Sequence, residues 1–310
     1  MTNIVSWYDG VVVPAFVSLC ESTGLVWGPN ERDLFFYRPP WLHPLEFVLF
    51  HLFVLVLMAM SRGYFTSVTA LRETSSPTKG NHGSKRSRLE MCLGVIFFLC
   101  WLSQVYLKSV RPMPLVQIWW LIMPCHLITL LWVYVFLISR NPRLSMYLAS
   151  LATACHWGPV SAAMFPDWSD HQYRIEGFIF MLHHGLLVIM PVYYAARHGL
   201  VRFSLPFLVH VTWLATWINV GPYTIVSYVT GLNVNYHLYP PPKLMKLAIF
   251  ATPYYRFYVI AALIVFTVAF YLGTLAVAWC LKQTVLSFLN KGTIARPTAQ
   301  STLSTDRKTK

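Results

Sequence analysis

The sequence predicts an all-α fold: a polytopic membrane helical bundle of seven transmembrane helices, with six as the alternative. Three observations predict it. Apolar residues make up 56% of the 310 residues and charged residues only 11%, against about 25% charged in a soluble domain. The apolar residues gather into runs near the roughly 20 that a helix needs to cross hydrocarbon, and a mean hydropathy of +0.52 agrees. Lys and Arg are distributed unevenly over the connections between those runs. The same composition excludes an intrinsically disordered chain. The formal net charge of +13 points to loops on one membrane face, so no nucleic-acid partner is expected.

In chain order, residues 1–43 read as an N-terminal lumenal or extracellular segment. It has no basic n-region and carries Asp9 ahead of a short apolar run, so no cleavable signal peptide is expected. The transmembrane domain covers 44–280. Its expected spans are 44–60, 90–108, 115–139, 145–163, 175–196, 202–219 and 256–280. Helices are the natural reading, because lipid offers backbone groups no partner. The third span holds Pro124, which predicts a kink. The fifth contains His183 and His184, and the sixth is short and could stretch through the Gly221–Pro222 break.

Between the first two spans, segment 61–89 with SSPTKGNHGSKRSR reads as a disordered basic loop near anionic headgroups. Segment 220–255 carries Asn233, Asn235, Tyr236 and His237, then three prolines from Pro240. It reads as a lumenal cap, or as a lid that contacts a lipid headgroup. The tail 281–310 reads as disordered and basic, and its Arg307–Lys308 resembles a dibasic retrieval signal for the endoplasmic reticulum. With the N-terminus outside the cytosol, the cytosolic pieces hold 16 Lys/Arg and the others 8. The expectation is therefore N-terminus lumenal, C-terminus cytosolic, in the endoplasmic reticulum or another endomembrane.

The polar residues at membrane depth carry the chemistry, because lipid excludes such groups unless they serve a function. Cys125 and His126 fall in span three, His156 in span four, His183 and His184 in span five, and His210 in span six. At 1.5 Å per residue, Cys125, His156, His183 and His210 all lie about 10–15 Å from one membrane face. A thiol beside an imidazole is equipped for nucleophilic acyl transfer. Glu176 is seven residues before His183 and so near the same helix face, at the rim of the same layer. His126, His156, His210, Glu176, Asn233 and Asn235 are the expected substrate-binding groups. The six cysteines show no CxxC pair, and the histidines show no metal-ligand spacing, so no metal and no cofactor are expected.

The segments MPCHLITLLW around Cys125, FIFMLHHGLL around His183 and GLNVNYHLYPP, in that order, resemble the transmembrane protein 164 family over about residues 40–275. The resemblance implies a membrane acyltransferase of ether phospholipid remodelling. Such an enzyme moves a polyunsaturated chain from a diacyl phospholipid to a lyso ether phospholipid. It places the catalytic cysteine on Cys125 and the catalytic histidine on His183, with His184 as a doublet that the motif register sets aside. The family is also similar to membrane hydrolases that pair threonine with histidine. The expected partners are phospholipid and lysophospholipid substrates and the bilayer. The expected route is a Cys125 thioester, independent of coenzyme A. The rivals are a lipid-ester hydrolase with the same pair and a non-enzymatic receptor or transporter.

Overall fold

The computed structural model describes residues 2–22, 37–64, 87–166, 168, 171–240 and 244–294. Most of the loop 61–89, the prolines after Pro240 and the tail from 295, with Arg307–Lys308, lie outside the described residues. The described chain is helical throughout, with no strand.

Within the N-terminal segment lies a helix, α1 (Val13–Ser22), led in by a short helix and a π turn. Four helices are long and apolar enough to cross a membrane. They are α2 (Leu42–Met60), α3 (Arg88–Ser109), α7 (Arg174–His198) and the last, α10 (Tyr255–Ile294), apolar as far as Thr284. A fifth is available if the bent pair Pro114–Ile122 and Pro124–Ile138 counts as one span. The expected seven are thus reduced to four or five on length and apolarity.

The difference has local causes. The third expected span turns by 68° at Met123. Proline disfavours helix in the residue before it, and Met123 is extended, with φ −53° and ψ 147°. Pro124 is therefore the first residue of a new helix, α4 (Pro124–Val133), and not a kink inside an old one. The fourth expected span divides into α5 (Pro142–Ala154) and α6 (Trp157–Met164) around Cys155–His156, just before Gly158–Pro159. The sixth stops as α8 (Leu205–Ile218), passes through a π turn over Gly221–Pro222, and resumes as α9 (Thr224–Thr230). Segment 220–255 is consequently part helix and part short 3-10 turns. At the other end, α10 continues to Ile294, where a disordered tail was expected from 281. No proline interrupts it, and Gly273 within it leaves the helix unbroken.

Side chains such as Leu52, Val56, Leu99, Phe178 and Val265 are exposed on these helices. A continuous apolar exterior of this kind is stable against hydrocarbon and costly in water. Inside, Phe97, Ile128, Trp132, Phe136, Ala152, Leu187, Met190 and Tyr194 join α3, α4, α5 and α7 in the main core. Gly94 lets α3 approach closely, because a Cβ there would stand 2.9 Å from the Cβ of Phe136.

Charged contacts mark the two ends of the bundle. At one end Ser87 caps α3, and Glu90 meets Arg197 at 3.1 Å and His198 at 2.5 Å. At the opposite end the buried Arg111, just beyond α3, pairs with Glu176 in the first turn of α7. Burial of an ion pair is tolerated only when each partner is satisfied, so these two pairs fix α3 against α7.

Candidate functional site

The break at Met123 decides where the chemistry sits. Cys125 becomes the second residue of α4, half-buried against the main core. The first-turn N–H groups of a helix have no intrahelical acceptor, and the helix dipole favours negative charge at that end. The thiol thus stands where a developing anion is best tolerated.

One turn later on the same face lies Thr129, fully buried. Its Oγ1 donates to the Cys125 carbonyl at 2.8 Å. The same oxygen is hydrogen-bonded to Nε2 of His183 on α7. One hydroxyl proton cannot serve both partners. With Thr129 donating to the carbonyl, the Nε2–H of His183 donates to Thr129. That tautomer leaves the basic lone pair on Nδ1, which has no hydrogen-bond partner among the described residues. Among those residues the Cys125 thiol makes no hydrogen bond to His183.

His126 joins this group. Its ring stacks on that of His183, with centroids 5.5 Å apart and planes 19° from parallel. Its Nδ1 is buried without a hydrogen-bond partner. A buried orphan polar atom is costly unless something arrives to meet it. His184 turns the other way: its Nδ1–H donates to the Phe180 carbonyl at 2.9 Å, and it stacks on Phe180. The structure therefore gives the two neighbouring histidines different surroundings.

The other expected residues take other positions. His156, at the junction of α5 and α6, reaches Thr274 of α10 at 3.4 Å and packs near Phe270. His210 on α8 is hydrogen-bonded to the Tyr147 hydroxyl at 2.6 Å and lies beside Tyr64 and Trp213. Glu176 is engaged by Arg111 and accepts from the Tyr173 backbone N–H at 3.3 Å. Asn233 folds its own loop, accepting from Leu238 N–H and donating to the Tyr239 carbonyl, both at 2.8 Å. Asn235 comes closer to the thiol. Its backbone N–H contacts Met123 Sδ at 3.1 Å, and its amide donates to Asn219 Oδ1 at 2.5 Å.

Two residues escaped the sequence reading. Thr129 was legible as position i+4 from Cys125, although a threonine in an apolar run draws no attention by itself. Tyr223, fully buried in the π turn after α8, has its phenol within electrostatic reach of the Cys125 and Cys155 thiols. Nothing in the spacing announces that proximity, because it depends on how the broken sixth helix folds back.

Comparison with known proteins adds three findings. The family model described as "TMEM164 family" matches residues 35–274. A curated relative, "Transmembrane protein 164 homolog" of Dictyostelium discoideum, is 24% identical over 125 residues. That alignment covers 40% of this chain and 45% of the relative, so the match spans less than half the relative's length. No solved structure matches the chain.

Proposed function

The chain belongs to the TMEM164 family, and from the site it carries we propose an integral membrane acyltransferase that moves a polyunsaturated acyl chain from a phospholipid to a lyso (ether) phospholipid through a Cys125 thioester, without coenzyme A. The observation that carries the reading is the convergence of Cys125, Thr129, His126 and His183 at the start of α4. The resemblance of the three motifs points the same way.

In this mechanism Nδ1 of His183 takes the thiol proton after a small approach of the two groups, as catalytic contacts tighten on substrate binding. The thiolate adds to the sn-2 ester carbon. The oxyanion that forms is met by the His126 Nδ1–H and by the Tyr223 phenol, both neutral donors. Collapse expels the sn-2 alkoxide, which takes the proton back from the imidazolium and leaves as a lysophospholipid. The thioester is then attacked by the acceptor hydroxyl, whose proton passes to Nδ1, and the thiol is restored by the same base. A dry, apolar setting protects the thioester from water until the acceptor arrives.

The finer topology belongs to the same reading. The broken segments α5–α6 and α8–α9 complete seven crossings, with the N-terminus lumenal and the C-terminus cytosolic in an endomembrane. The site then faces the lumenal half of the bilayer.

One contact favours a second reading. His183 is bonded to the Thr129 hydroxyl and not to the thiol, the pairing expected of a threonine ester hydrolase. Purified Cys125→Ala, His183→Ala and the double variant separate the two. With donor and lyso acceptor supplied, both single variants are expected to lose transfer, and the double variant to be scarcely worse, because one catalytic event is removed. Full transfer by Cys125→Ala overturns the thioester reading.

A further inference from the structure

A second group of buried charges lies on the Met123 side of the bundle. Arg38, just before α2, and Arg256, in the first turn of α10, converge on a single carboxylate, Glu46. Arg38 and Glu46 are fully buried, and Arg256 is 5% exposed. Both arginines reach the same oxygen, Oε2: Arg38 closely, Arg256 at 3.4 Å. The other carboxylate oxygen, Oε1, is buried with no hydrogen-bond partner, and so is Nε of Arg38. Among the described residues the remaining neighbours are neutral. Arg38 donates to His43 Nδ1 at 2.7 Å, and Arg256 donates to Thr224 Oγ1 at 3.1 Å. Tyr255 lies under Arg38 and Phe50 under Arg256. Burial, and then the two guanidiniums, hold His237 well below its ordinary value, so it adds no charge.

The balance is two guanidiniums against one carboxylate among the described residues. An uncompensated buried ion costs several kcal/mol, so such an arrangement is stable only with a further anion or at the expense of the fold. The planar fork of arginine is matched to carboxylate and phosphate oxygens. The position of the group indicates which anion is wanted. Thr224 Oγ1 links Arg256 to His237 at 3.2 Å, and Tyr255 donates to the Tyr236 carbonyl at 2.8 Å. The loop so held contacts Met123 through Asn235, two residues from the thiol. Asn235 and Tyr236 both sit at positive φ, 49° and 59°. Two adjacent non-glycine residues in that region carry strain that surrounding contacts must hold.

We propose that Arg38 and Arg256 form the subsite for the phosphate group of a phospholipid headgroup, with Glu46 as the internal anion that engages the two guanidiniums when no phosphate is bound. The proposal rests on the reading that this site handles phospholipids. Phosphate binding exchanges the long Arg256–Glu46 contact for a phosphate oxygen and supplies the missing negative charge. The loop 233–237 then ties headgroup position to the start of α4.

The test measures binding on full-length Cys125→Ala protein in non-ionic detergent, so that it does not depend on turnover. The probes are dihexanoyl phosphatidylcholine below its micellar concentration, dihexanoylglycerol and inorganic phosphate. The phosphate-bearing lipid is expected to bind at least about tenfold tighter than the glycerol. Arg256→Gln should erase that preference. Arg256→Lys, which keeps the charge and loses the fork, should reduce it, and it serves where the glutamine variant does not fold. Glu46→Gln should strengthen phosphate-lipid binding, because it removes the internal competitor. Equal binding of lipid and glycerol, or loss of the preference in Glu46→Gln, overturns the proposal and leaves a structural ion pair. Arg256-dependent binding of inorganic phosphate as tight as that of the lipid assigns the site to free phosphate and overturns the headgroup assignment. Phosphate preference without transfer by the unmodified protein would sink the acyltransferase reading alone. Transfer without phosphate preference would sink the subsite alone.

Discussion

Thr129→Val is the perturbation that reads the site most directly. Valine is close to isosteric with threonine, and the position is fully buried, so the substitution removes one oxygen and leaves the packing. Two interactions go with it: the 2.8 Å bond to the Cys125 carbonyl and the bond that engages His183 Nε2. A buried N–H left without an acceptor costs about 1–3 kcal/mol, and the fold should lose about that much stability. The rate should fall for a separate reason. Without the acceptor on Nε2, the imidazole is no longer held in the tautomer that presents Nδ1 as the base. One net hydrogen bond of about 1–1.5 kcal/mol corresponds to about a five- to thirteenfold drop in kcat, with KM nearly unchanged. The assay is transfer by purified full-length protein from a defined diacyl phospholipid to a lyso ether acceptor, with products counted by mass spectrometry. Thermal melts of the same samples separate stability from rate. Thr129→Ser keeps the hydroxyl and should restore most of the rate. A Thr129→Val protein with wild-type kcat would refute the tautomer argument. A Thr129→Val protein without activity, beside an active Cys125→Ala protein, would make the hydroxyl the nucleophile.

The remaining expectations concern the frame around the site. Gly94→Ala forces a methyl against Phe136 and Leu137, and should cost about 1–3 kcal/mol through overpacking, read as a lower melting temperature. Glu176→Gln removes the ion pair between Glu176 and the buried Arg111. It should destabilise the fold by about 3–5 kcal/mol without a selective rise in KM; a change in KM alone would return Glu176 to the substrate. For topology, single cysteines at positions 84 and 236 in sealed microsomes should label from opposite sides, and labelling from the same side would defeat the seven-crossing arrangement.

Much of this protein is legible one segment at a time. Apolar runs such as 44–60, 90–108, 175–196 and 256–280 correspond to helices, because a backbone deprived of water must satisfy its hydrogen bonds within the segment. Cys125 and His183 stood out with the other polar groups at membrane depth, but the choice of that pair rested on the resemblance of the surrounding motifs. Pro124 and Gly221–Pro222 flagged two of the weaker runs, whereas the break of the fourth at Cys155–His156 was not anticipated. The sequence did not carry the consequence of those breaks: that Met123 turns the chain by 68° and makes Cys125 part of a helix start.

Partnership was decided by tertiary structure alone. Glu176 stood at helical spacing from His183, yet Arg111, 65 positions earlier, holds it. His126 and His183 stack across two helices, whereas His210 is held by Tyr147. Arg38, Glu46 and Arg256 are more than 200 residues apart along the chain at their extremes and share one carboxylate oxygen. Periodicity reports which face of a helix is apolar. It contains no term for the rotation of one helix against another, and a hydrogen bond between side chains is fixed only when that rotation is fixed by the packed core.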